Sequence, residues 1–307
     1  MKDFQSKASY AGMALLMALT GIVSLLLVIP VENAGLEAFE NPDSMSNIIL
    51  FVFLMLVFTA VLLILIKWKA KIVITAIIAL SLMAVVFYVA LSLLSLVYFG
   101  IPLYIVSGLI SLAAILLLWF HPEWYVINFI GIIVCAGCAS IFGVSLSVIP
   151  VIVLLVFLMI YDYISVRKSK HMLTLADGVL RQKMPIMFIV PKDRGYSFKK
   201  SGLNLEAKKD DRGAFMIGMG DMIMPSILVV SAQVYAGGSN VISVLGVSLP
   251  ALGAFFGGIL GLCLLMIPLS TGKPQPGLPW INGFAIAGFL ICCAVSGSWD
   301  WLTLNFW

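Results

Sequence analysis

Two aspartates carry the chemistry that this sequence offers. Of the chain's 14 acidic residues, twelve fall in polar stretches, and only Asp162 and Asp221 lie inside long apolar blocks. A carboxylate in hydrocarbon is costly, so one that is kept there meets a partner or a water-filled cavity and marks function. Two carboxylates held close together do not both ionise; repulsion leaves the pair sharing one proton. One member can then take a proton from water while the other donates to a carbonyl oxygen, which is the chemistry of an aspartic protease. A proton relay or an ion-coupled channel or transporter would use the same pair, and each Asp could simply bond a neighbouring helix. The two histidines, His121 and His171, lie in loops, so no Ser–His or Cys–His pair sits within the blocks. No His/Glu cluster has the spacing of a metal site, and no cofactor is implied.

The elements that must position the pair follow from composition. Of 307 residues, 62% are hydrophobic and 10% charged, against roughly a quarter charged in soluble chains. The apolar residues come in blocks long enough to cross about 30 Å of hydrocarbon as helices. Nine spans are expected, at 8–30, 47–66, 72–98, 101–119, 126–142, 144–165, 214–236, 246–268 and 279–297. They make one all-α membrane domain covering 1–307. The first block is too long for the core of a cleaved leader and reads as a retained span. Cys135 and Cys138 have CxxC spacing but no polar company, and read as packing residues.

Lysine and arginine stay on the cytoplasmic side of membranes. With the N-terminus inside, Lys2, Lys7, Lys67, Lys69, Lys71, Lys273 and the twelve basic residues of loop 166–213 all fall inside. The acidic loop 31–46 and the C-terminal tail fall outside. The net charge of +4 is therefore a topology signal and not a nucleic-acid patch. Asp162 closes the sixth span and Asp221 lies about 10 Å into the seventh, an antiparallel neighbour. Both carboxylates then reach a similar shallow depth toward the cytoplasm.

Around the pair, Tyr161-Asp162, Gly218-Met219-Gly220-Asp221 and Gln275-Pro276-Gly277-Leu278 stand at the ends of three spans. Gly218 and Gly220 each weaken a helix by about 1 kcal/mol relative to Ala and leave room for another backbone. These stretches resemble the YD, GxGD and PAL motifs of the presenilin and signal peptide peptidase family. The third departs from the pattern, with Gly277 in place of Ala. A literal Pro250-Ala251-Leu252 exists, but it falls at the outer end of the eighth span. The resemblance implies an intramembrane aspartyl protease that hydrolyses peptide bonds within transmembrane-helix substrates, with Asp162 and Asp221 catalytic. Tyr161, Gly218, Met219, Gly220, Gln275, Pro276, Gly277 and Leu278 would support the site or bind substrate. Prepilin-type peptidases also carry GxGD but resemble shorter proteins with fewer spans. The compact chain looks like the archaeal presenilin homologues, and an active site toward the cytoplasm matches the presenilin orientation.

A helical bond must be uncoiled before it is cut, and its freed N–H and C=O groups then need partners. Adding the uncoiled segment to a strand edge would supply them. Of Pro185–Pro191, rich in Ile, Val and Phe, and Gly213–Ile217, just before the GxGD glycines, one or both are expected to form such a strand; the alternatives for the first are a plug of the cleft or an interfacial loop segment.

Overall fold

The computed structural model describes residues 2–97, 100–166, 187–192, 196–198, 213–236, 243–270 and 275–302. Pro185 and Ile186, most of loop 166–213, and Lys273 lie outside the described residues. The described chain is mostly helical. α1 (Lys2–Leu26) runs into a short α2 (Val28–Asn33), followed by α3 (Ser46–Lys67), α4 (Lys71–Leu94), α5 (Ile101–Phe120), α6 (Trp124–Ser145) and α7 (Val148–Ile164). Strands β1 (Met187–Pro191) and β2 (Ala214–Gly218) precede α8 (Met219–Tyr235). A two-residue hairpin, β3 (Ser243–Val244) and β4 (Val247–Ser248), leads to α9 (Leu249–Ser270), and α10 (Leu278–Ser296) completes the set.

Seven of the described helices are long and apolar enough to cross a membrane; α7 and α8, at 17 residues each, are shorter. Seventeen residues reach about 26 Å, a little less than the hydrocarbon layer. The two Asp-bearing helices are thus the short ones. The seventh span, expected to be helical from 214, is helical only from Met219, and the eighth, expected from 246, only from Leu249. In the first case Gly218 holds an extended backbone (φ −63°, ψ 138°), so residues 214–218 stay in a strand.

α6, α8, α9, α10 and α1 pack together, with α7 against α10 and α8. In α6 two thirds of the residues are covered (67%), whereas α3, which packs mainly on α4 and α7, is covered over 6%. The outward faces of α3, α4 and α5 are rows of Leu, Ile, Val and Phe. Such rows would drive aggregation in water but match a lipid surroundings. The protein is a multi-pass integral membrane protein.

The tightest seam joins α9 to α10. A Cβ on Gly257 would meet the Phe284 carbonyl oxygen, one on Gly261 would lie 2.5 Å from the Trp280 carbonyl oxygen, and one on Gly288 would meet that of Gly253. Bare backbone therefore lets the two helices touch, the usual membrane use of small residues. The same contacts show the helices antiparallel. Pro250-Ala251-Leu252 sits at the Cys292 end of α10, the far end from Gln275-Pro276-Gly277-Leu278.

β1 and β2 form a two-stranded antiparallel sheet with Met187 opposite Gly218, Ile189 opposite Met216 and Pro191 opposite Ala214. The expected strands thus pair with each other. β1 is clamped between helices: Phe188 packs at Gly131 of α6 and Val190 at Gly12 of α1. The outer edge of β1 is closed by one side chain. The Asn128 amide donates to the Ile189 carbonyl (2.7 Å), and the Ile189 N–H donates to Asn128 Oδ1 (2.9 Å). Because Ile189 turns both groups away from β2, antiparallel alternation makes its partner Met216 turn both of its groups away from β1. The Lys192 N–H donating to Gly213 (2.9 Å) fits the same alternation. Among the described residues no third strand joins the edge that Met216 presents.

Candidate active site

Local sequence decides where each carboxylate stands. α7 is an unbroken apolar helix whose third-from-last residue is Asp162. α8 begins as soon as the extended Gly218 is passed, which makes Asp221 its third residue. One carboxylate therefore closes α7 and the other opens α8. The Gly218 side chain that does not exist leaves Asp221 Oδ2 3.5 Å from the vacant Cβ position, an ordinary contact distance.

The third element is the start of α10. The Leu278 N–H donates to Asp162 Oδ2 (3.1 Å), and the Gly277 N–H also bonds the Asp162 carboxylate. A Cβ on Gly277 would lie 3.5 Å from Asp221 Oδ2. The Gly277-Leu278 backbone thus bonds Asp162 and stands about a methyl group's breadth from Asp221. A carboxylate at the C-terminus of its own helix faces the negative end of that helix dipole. The free N–H groups at the start of α10 offset this for Asp162, while Asp221 already sits in the favourable first turn of α8. Asp162 is buried (4% exposed) and Asp221 partly buried.

The other expected residues divide. Gly220 is exposed with nothing within 4 Å of its vacant Cβ, which leaves space beside Asp221. Pro276 is buried at the α10 entrance, and Gln275 and Tyr161 are half-buried next to their neighbours in the motif. Met219 points away from the pair: its methyl group packs at Gly131 of α6, beside Phe188. Leu252 is not brought to the pair.

Three residues that the sequence did not place at the site also bear on it. Asn128 holds β1 in place, as described. Cys135 Sγ lies 3.7 Å from the Met219 carbonyl oxygen, tying α6 to the first turn of α8. Pro225 sits inside α8, four residues after Asp221, and has no N–H to give to the Asp221 carbonyl. An asparagine in an apolar block was the available signal for Asn128, and a proline four residues after the aspartate was the signal for Pro225. Neither discloses its partner without the fold.

Comparison with known proteins bears on this arrangement. The sequence model described as signal-peptide peptidase, presenilin aspartyl protease matches residues 13–298. Two solved structures of a presenilin family intramembrane aspartate protease, in C222 and P2 crystal forms, are similar to this chain. The first is 35% identical with a TM-score of 0.69, covering 93% of this chain and 99% of that one. The second is 37% identical with a TM-score of 0.67, covering 92% and 97%. No curated protein matches the sequence. With two membrane-embedded carboxylates meeting at the ends of adjacent helices, the chain belongs to the signal-peptide peptidase and presenilin family of aspartyl proteases and is an intramembrane aspartic endopeptidase.

Proposed function

We propose that Asp162 and Asp221 are the catalytic pair and that they hydrolyse peptide bonds within the transmembrane helices of membrane-protein substrates. The observation that carries this is the meeting of both carboxylates across Gly277-Leu278. The ionised member takes a proton from water as the water oxygen adds to the scissile carbonyl carbon. The protonated member gives its proton to the carbonyl oxygen. The resulting tetrahedral diol gives one hydroxyl proton to the now-ionised member as the newly protonated member gives its proton to the nitrogen and the C–N bond breaks, so the pair ends with the single proton it began with. Gly220 leaves the substrate backbone room beside Asp221, and Pro276, Gly277 and Leu278 hold Asp162. Gln275 and Tyr161 border the site.

The uncoiled substrate adds to the open edge of β2. There Met216 offers an N–H and a C=O, and the strand leads through Gly218 directly to Asp221. Main-chain pairing of this kind is indifferent to side chains and repays the hydrogen bonds lost on uncoiling. The nine spans form a single domain in the cell membrane, with the N-terminus, loop 166–213 and the active site toward the cytoplasm and the C-terminus outside. The placement of all 18 Lys and Arg residues on one side supports that orientation.

The test is incubation of the purified protein with a single-span substrate, followed by mass analysis of the fragments. Paired fragments ending inside the span are expected from the unaltered chain, and none from Asp162→Asn or Asp221→Asn. Turnover by either variant, with the fold retained, would remove the pair from the mechanism.

A further inference from the structure

One buried polar group stands out beside the carboxylate pair. Asn282 on α10 is fully buried, and among the described residues neither its amide nitrogen nor its amide oxygen has a hydrogen-bond partner. It lies on the stripe Leu278, Asn282, Ala285, Phe289, whose spacing of four, three and four keeps one face of a helix. Two neighbours give its direction. Gly283 faces α7, with Met159 Sδ 3.9 Å from its vacant Cβ position. Ala285 faces the other way, its Cβ and that of Pro225 of α8 lying 3.8 and 3.4 Å from the vacant Cβ position of Gly258 on α9. At about 100° of rotation per residue, Asn282 points between these two directions. It therefore faces the seam between the helix that carries Asp162 and the helix that carries Asp221. Leu278, one turn earlier, is bonded to Asp162 itself.

The seam offers little else of this kind. Along α7 the residues before Tyr161 are all apolar. On α8, Ser226 and Ser231 spend their hydroxyls on the backbone carbonyls of Met222 and Leu146. A buried amide left unpaired is destabilising, and native structures retain few. An asparagine kept in such a place is expected to find its partners in another state of the molecule.

The chain itself shows what an asparagine amide can serve. Asn128 satisfies the N–H and the C=O of a single residue of extended backbone, Ile189. A substrate helix uncoiled at the pair ends in a turn of orphan backbone groups on the side away from β2.

We propose that Asn282 is a substrate-binding residue: it pairs with the backbone of the uncoiled substrate turn on the far side of the scissile bond from β2. This rests on the assignment of Asp162 and Asp221 as the catalytic pair. β2 supports the substrate on one side of the bond and Asn282 on the other. Because the amide is sealed in this structure, α10 must part from α7 at the seam as substrate enters. The unpaired amide makes that parting easier.

The experiment is a double-mutant cycle with synthetic single-span substrates. In each, one of the four residues next to the cleaved bond, on its helical side, carries an ester in place of its amide N–H. The unaltered enzyme is compared with Asn282→Leu, which keeps the volume and removes both polar atoms. For the all-amide substrate, Asn282→Leu should lower kcat/KM about tenfold, chiefly through KM, while raising the melting temperature. One ester position should cost the unaltered enzyme a similar factor and cost Asn282→Leu almost nothing. If Asn282→Leu does not fold, the same cycle is read in Asn282→Ala. Equal ester penalties in both enzymes at every position overturn the inference and leave the catalytic assignment intact. Cleavage by Asp221→Asn would instead overturn that assignment, and this inference with it.

Discussion

The same substitution, glycine to alanine, should have opposite consequences at two positions of the α9–α10 region. At Gly277 the backbone angles (φ −81°, ψ −46°) suit any L-residue. The new methyl would stand 3.5 Å from Asp221 Oδ2 and 3.6 Å from Leu265 Cδ2, both ordinary contacts. Replacing a glycine at a compatible position stabilises by about 0.4–1 kcal/mol, through the unfolded chain. In a chain of this size that corresponds to a melting temperature about 1–3 °C higher. Gly277→Ala would also restore the Pro-Ala-Leu of the family motif, so cleavage should persist at close to the original rate. At Gly257 the methyl would meet the Phe284 carbonyl oxygen and lie 3.1 Å from the Ala285 Cα, all of it backbone that cannot rotate away. Helix α9 would have to retreat from α10, an overpacking cost of about 1–3 kcal/mol. The shift would also reach the Gly277-Leu278 backbone that holds Asp162. The assay is thermal unfolding in detergent beside cleavage of one single-span substrate. Loss of cleavage in Gly277→Ala, or an unchanged melting temperature in Gly257→Ala, would refute the reasoning.

Other expectations follow from the same geometry. Asn128→Leu should leave the Ile189 N–H and C=O unpaired, at about 1–3 kcal/mol for each group. It should loosen β1 and lower cleavage while the helices remain folded, as read by circular dichroism and turnover. Ile189→Pro removes the donor of the same pair and should behave alike; full activity in both would detach the sheet from substrate handling. A charged residue at Leu278 should abolish inhibitor binding at the pair, whereas the same change at Leu252, near the far end of α10, should spare it. With one proton shared by the proposed pair, the rate should fall at both acid and alkaline extremes. A rate that climbs steadily into strong alkali would contradict a protonated partner.

The membrane character and the presence of two aspartates in apolar blocks come from properties that need no fold. Apolar length sets what can cross a bilayer, and an aspartate in such a block is conspicuous because hydrocarbon makes it costly. The glycines of Gly218-Met219-Gly220-Asp221 and the run ending at Pro191 also speak locally, since glycine and β-branched residues bias the backbone where they stand. What the sequence could not disclose is which groups face one another. Gln275-Pro276-Gly277-Leu278 and Pro250-Ala251-Leu252 look alike as strings; only the antiparallel packing of α9 on α10 puts one at Asp162 and the other at the opposite end. β1 and β2 were legible only as candidate strands, the first beside plug and interfacial-loop readings, and their pairing with each other depends on α6 and α1 clamping β1 and on Asn128 closing its edge. Asn128 and Asn282 are both lone amides in apolar blocks. Tertiary contacts alone separate the one whose hydrogen bonds are made from the one whose bonds are not, because a hydrogen bond depends on ångström-scale position that no residue type specifies.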